Sequence, residues 1–134
     1  MKEITVEAKV ENIAAVTDFV NEVLEAHDCP IKVQMQIDVA IDELVSNIAF
    51  YAYEDGGDAT ISVDIVGEPE TVVVSFKDRG KPYDPLKKED PDVTLSLEER
   101  QIGGLGIYMV KKSMDEMLYE YRDGMNIVTI KKAM

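Results

Sequence analysis

The stretch IGGLGIYMVKK sets a glycine cluster, Gly103, Gly104 and Gly106, at the start of an apolar helical pattern. Glycines in that position free backbone N–H groups and aim the positive end of the helix dipole outward, which suits an anion such as phosphate. The same cluster also describes a tight helix start. It is not a P-loop, because GxxxxGK[ST] is absent, and not a dinucleotide fingerprint, because no predicted strand precedes it and the third glycine is missing. A second stretch, SFKDRGKPYDP, ends a β-rich run in Asp78-x-Gly80. Such a turn commonly bonds only to its own backbone. As a ligand site, its carboxylate would accept an exocyclic amine, and Gly80 would let a base lie close to the backbone. The third stretch, DELVSNIAFYAY, puts Glu43 and Asn47 four residues apart in an otherwise apolar segment. On a helix they stack one turn apart, roughly 130° from the centre of the apolar set at about 100° per residue. An ordinary solvated flank has that pattern too, but Asn has weak helix propensity, and the small residues Ala40, Ser46 and Ala49 leave space beside it.

Other candidates carry less. His27 lies near Cys29 at a helix end, with no nucleophile arrangement or metal-ligand cluster around it. The seven methionines fall at core-like spacings and read as packing. Asp38 and Asp42 read as a solvated acidic edge.

The elements that must position these residues follow from periodicity. ITVEAKV alternates with period two and predicts a first strand ending near Glu11, after which Asn12 is placed to cap a helix carrying Ile13, Val16, Val20, Val23 and Leu24. HDCP stops that helix. Ile37, Ile41, Leu44, Val45, Ile48 and Ala52 predict a long helix from Ile31 to about Tyr53, closed by EDGGD. ATISVDIVG and TVVVSFKD read as antiparallel strands joined at EPE. The segment from Arg79 to Gln101, with three prolines and no sustained period, reads as a long loop with a turn of helix in SLEER; loops of that length are usually lids or binding segments. After the glycine-led helix, MLYEYRDGMNIVTIKK is a strand, an Asp-Gly turn and a final strand. The order predicts an α+β two-layer sandwich with one covered sheet face.

At 134 residues the chain fits one domain, here residues 1–134. With 27 acidic against 14 basic residues, the net charge of -13 argues against nucleic acid and anionic membrane as partners. Nucleotides remain open, since backbone N–H groups and a bound cation can hold phosphate without a basic patch. One cysteine excludes an intrachain disulfide, and no apolar run resembles a signal peptide or a membrane span, so a cytoplasmic protein is expected.

Taken in order, Glu43-x-x-x-Asn47, Asp78-x-Gly80 and Gly104-x-Gly106 resemble the three boxes of the GHKL (histidine kinase-like) ATPase superfamily. Nearly the whole chain is similar to the small anti-sigma factor serine/threonine kinases, through its leading strand and helix, DELVSNIAFYAY and the closing RDGMNIVTIKK. The resemblance implies the Bergerat type of ATP-binding fold, with a mixed, mostly antiparallel sheet, helices on one face and an ATP lid at about 80–102. It implies ATP and Mg2+ as ligands. Glu43 would be the general base. Asn47 would bind ATP through the metal, Asp78 would take the adenine amino group, and Gly80 would admit the base. Gly103, Gly104, Leu105, Gly106 and Ile107 would offer backbone N–H groups to the phosphates.

The implied partners are an anti-sigma factor antagonist, as phosphoacceptor, and a sigma factor, with a homodimer as a further expectation. One departure stands out: the second box usually runs Asp-x-Gly-x-Gly, and here Pro82 takes the last position, so that turn lacks an N–H. Pro82, together with a cationic clamp limited to Arg100, Lys111 and Lys112, leaves an alternative open, an ATP-binding module of the same fold that sequesters a partner without efficient kinase activity. A mismatch-repair or topoisomerase type of ATPase is expected to have a transducer domain that this chain lacks.

Overall fold

A computed structural model describes residues 1–53, 55–87 and 105–134. β1 (Lys2–Glu7) is followed by α1 (Ile13–Ala26) and α2 (Ile31–Asn47). The chain continues through β2 (Asp58–Val66), β3 (Thr71–Asp78), α3 (Leu105–Ser113), β4 (Glu116–Arg122) and β5 (Met125–Ala133). The strands form one sheet in the order β1-β2-β3-β5-β4. It is the mostly antiparallel sheet expected, with no parallel pairing among the described strands.

Alternation decides which face is covered. Along β3, Val72, Val74, Phe76 and Asp78 are buried while Val73, Ser75 and Lys77 are half-buried. The inward set joins Ile61, Val63 and Ile130 against Val16, Val20 and Leu24 of α1 and Ile37, Ile41 and Val45 of α2. Each such fully buried aliphatic or aromatic side chain contributes about 1.5–3 kcal/mol. The other face carries hydroxyl pairs, Thr5 with Thr60 at 2.8 Å and Ser75 with Thr129 at 3.2 Å.

Boundaries differ from expectation in three places, each for a local reason. β1 ends at Glu7, not near Glu11, because the chain turns and the Ala8 N–H bonds the Gly57 carbonyl at 2.8 Å. Asn12 makes no cap bond to α1; its Nδ2 donates to the Glu7 carbonyl at 2.9 Å and ties the helix start to the strand. The long helix is α-helical only to Asn47, then widens into a π-type turn over Ile48–Ala52. HDCP does stop α1: Asp28 turns left-handed with φ 56°, and Pro30 opens α2. Asp123 and Gly124, both at positive φ, make the tight turn between β4 and β5. The SLEER turn and most of the expected lid, residues 88–102, lie outside the described residues.

Candidate functional site

Asp78 is the last residue of β3 and points inward, directly across from Asn126 of β5. It is only 6% exposed. Its Oδ1 accepts two hydrogen bonds, from the Gly80 N–H and from Asn126 Nδ2, each at 2.9 Å. Burial pushes the carboxyl above its usual range, while those two donors pull it back by favouring the charged form. The turn after Asp78 is docked on the end of α2. A Cβ on Gly80 would overlap the Ala52 carbonyl, and that carbonyl accepts the Lys81 N–H at 2.9 Å. Glycine is needed here for close approach.

A narrow cleft of about 20 Å³ opens between this turn and α2, with Leu44, Asn47, Ile48, Asp78, Tyr83 and Asn126 among its walls. Two polar atoms here are buried without a hydrogen-bond partner among the described residues, Asn47 Nδ2 and the Tyr83 hydroxyl. Natural structures rarely leave such groups unpaired, so each is a place where a ligand can bond. The Tyr83 ring stacks on Tyr51, with centroids 5.2 Å apart and planes 16° from parallel.

Glu43 lies one helical turn before Asn47 and is half-buried. It is not among the cleft-lining residues; it faces α3. A Cβ on Gly106 would overlap the Glu43 carboxylate, so the absent side chain brings the first turn of α3 against it. Removal from water, and then the neighbouring charge of Asp42, push the Glu43 carboxyl upward. Ile107 is buried and anchors that turn. Leu105 opens the helix, while Gly103 and Gly104 lie outside the described residues.

The structure thus gathers Asn47 and Asp78 on one cleft, fastens Gly80 behind it, and sets Glu43 with Gly106 at the next turn of α2. Among the described residues, no three His, Cys, Asp or Glu side chains converge as a metal cage. Asn47 could serve a cation differently, through its amide oxygen beside waters and substrate phosphate oxygens, which commonly complete a Mg2+ shell.

Sequence reasoning passed over Asn126 and Tyr83. Asn126 did carry a signal: it occupies an inward position of β5, where the next two inward residues are Val128 and Ile130. A polar residue in an apolar alternation calls for a buried partner.

The architecture agrees with comparisons to known proteins. A family model described as a histidine kinase-like ATPase domain matches residues 6–132. The serine/threonine-protein kinase BtrW of Bordetella bronchiseptica is 28% identical over 99 residues, covering 74% of this chain and 70% of that protein. The serine-protein kinase RsbW of Listeria monocytogenes is 27% identical over 97 residues, covering 69% of this chain and 62% of that protein. RsbW of Bacillus pumilus is 25% identical over 99 residues, covering 69% and 61%. This chain therefore spans less than two thirds of either RsbW. The family match extends from β1 into β5 and takes in α2, the Asp78 turn and the start of α3 together. On that extent, the chain belongs to the histidine kinase-like ATPase domain family.

Proposed function

We propose that this chain is an ATP-dependent protein serine/threonine kinase of the anti-sigma factor kind. It phosphorylates an anti-sigma factor antagonist and sequesters a sigma factor when unphosphorylated antagonist is scarce. The observation that carries the reading is the contact of the Glu43 carboxylate with the backbone of Gly106. It puts a proton acceptor against a glycine-led helix start, one turn of α2 from the cleft that holds Asn47 and Asp78. The names of the relatives, serine and serine/threonine kinases, support the same chemistry.

In this reading Asp78 accepts the adenine amino group in the cleft, and Gly80 keeps that wall close to the helix. The backbone N–H groups of Gly103, Gly104, Leu105, Gly106 and Ile107 orient the phosphates. Glu43 takes the proton from the incoming Ser or Thr hydroxyl as the new O–P bond forms; the bond to the β,γ-bridging oxygen breaks, and ADP leaves with that electron pair. A carboxylate with an upward-shifted pKa is a better proton acceptor near neutrality than an ordinary glutamate. Asn47 would hold Mg2+ through its amide oxygen Oδ1, leaving the unpartnered Nδ2 to donate to a phosphate oxygen, and the metal when bound supplies charge neutralisation on the phosphates.

The test is label transfer from γ-labelled ATP, with Mg2+, to small antagonist domains encoded beside this gene. Label is expected on a Ser or Thr of one of them. Tight ATP binding by calorimetry with no transfer to any candidate would favour the sequestering module over the kinase. Absence of ATP binding would sink both.

A further inference from the structure

Asn126 is 2% exposed and every hydrogen-bonding position of its amide is filled. Nδ2 donates to Asp78 Oδ1 at 2.9 Å and to the Lys81 carbonyl at 2.8 Å. Oδ1 accepts the Tyr83 N–H at 3.0 Å and the Tyr119 hydroxyl. The four partners fix the orientation of the amide. Turned over, it would set its oxygen against a carboxylate and a carbonyl, and its NH2 group against the Tyr83 N–H.

Two of those partners flank Pro82, the residue that departs from the second box. A proline cannot donate, and the peptide groups on either side of it would otherwise have to find partners in a partly buried turn. The Asn126 amide pairs with both, much as a neighbouring backbone peptide would. One side chain thus carries the Asp78 carboxylate and the turn that follows it on the same strand.

We infer that Asn126 is a positioning residue for base selection: by occupying Oδ1 of Asp78 it leaves Oδ2 as the acceptor offered to the cleft, and so selects a purine with an amino group at position 6 over one with a carbonyl there. The inference rests on Asp78 being the base-binding residue of the proposed function. Among the described residues both hydrogen bonds to Asp78 fall on Oδ1, and Asp78 lines the cleft. Burial alone favours the protonated carboxyl, which would act as a donor and suit a 6-carbonyl purine. The Asn126 and Gly80 donors oppose that, and removing Asn126 takes away the larger opposing contribution.

The test is calorimetry of ATP and inosine triphosphate, which differ in the 6-amino against the 6-carbonyl group and the N1–H that goes with it, with Mg2+, between about pH 5.5 and 8. The native protein is expected to prefer ATP by at least about tenfold, the scale of one charge-assisted hydrogen bond. Asn126→Ala is expected to bring the ratio to within about threefold, and closer to one as pH falls. Should that variant not fold, Asn126→Asp keeps the shape, sets two carboxyls side by side so that they share a proton, and is expected to lower the ratio likewise. If either folded variant weakens both nucleotides equally and keeps the native ratio at every pH, Asn126 is only structural and the inference is overturned. If the native protein binds neither nucleotide, the base-binding reading itself fails, a result distinct from the first.

Discussion

The Glu43 carboxylate rests on the backbone of Gly106, in space that any side chain at position 106 would take. A side chain at position 106 would therefore push that carboxylate aside. Gly106→Ala is expected to change stability by less than about 1 kcal/mol, because the carboxylate it meets ends a flexible side chain that can swing aside, and to displace Glu43 and remove label transfer. Adding Glu43→Ala should change stability little further and restore none of the transfer, because the two changes share one contact. Thermal melts of the single and double variants check this.

Glu43→Gln keeps size and shape but cannot take a proton. Phosphoryl transfer is expected to fall by about 10²–10⁴-fold with ATP affinity nearly unchanged. The native rate should decline as pH drops through the Glu43 pKa, which burial and Asp42 have raised, so the decline begins at higher pH than for an exposed glutamate. Single-turnover rates across pH, beside calorimetric Kd values, check both points. A Kd that worsens as much as the rate would count against a proton-transfer role.

At Asp78 the demands of binding and of stability oppose each other. Its folded pKa is raised, so the folded state holds the proton more tightly than the unfolded one. The resulting stabilisation is fully present below the unfolded pKa and lost as pH rises through the folded pKa. At neutral pH the buried charge is a cost. Asp78→Asn, whose amide oxygen can still accept from Gly80 and Asn126, should raise Tm at pH 7 by the equivalent of about 0.5–1 kcal/mol, screening near the cleft mouth included. The gain should shrink toward pH 4, about the ordinary carboxylate range, and ATP binding should weaken. Melts of both proteins at several pH values decide it.

Asn47 has an unpaired buried amide nitrogen, so the protein alone loses little by giving it up. Asn47→Ala should change the stability of the free protein by less than about 1 kcal/mol, since no hydrogen bond from that nitrogen is broken. It should nonetheless abolish the increase in ATP affinity that Mg2+ gives the native protein. Calorimetry with Mg2+ and with a chelator separates the two effects. A variant whose ATP affinity still rises with Mg2+ would remove Asn47 from the metal.

The sheet and helices were legible because their periods are clean: β3 alternates along its length, and α1 buries Val16, Val20 and Leu24 at helical spacing. Glu43, Asn47 and Asp78 were legible as polar residues breaking those periods, and Gly80 and Gly106 as glycines beside them. Asn126 was not. It follows the Asp-Gly turn so closely that it reads as part of it, and its partner Asp78 is 48 residues away. The π-type turn was hidden for another reason: Ile48, Ala49, Phe50, Tyr51 and Ala52 continue an apolar pattern that does not tell an α-turn from a wider one.

That wider turn leaves the Ala52 carbonyl to accept the Lys81 N–H, so the strand-end turn and the helix bearing Glu43 share a single reference point. From Glu43 to Ala52 the helix advances roughly 13 Å at about 1.5 Å per residue. Asp78 itself lines the cleft beside Leu44, Asn47 and Ile48, one turn of that run from Glu43. In the proposed kinase both ends of a bound nucleotide would thus be set against one helical run, whose Ala52 end fixes the Asp78 turn and whose Glu43 end meets α3.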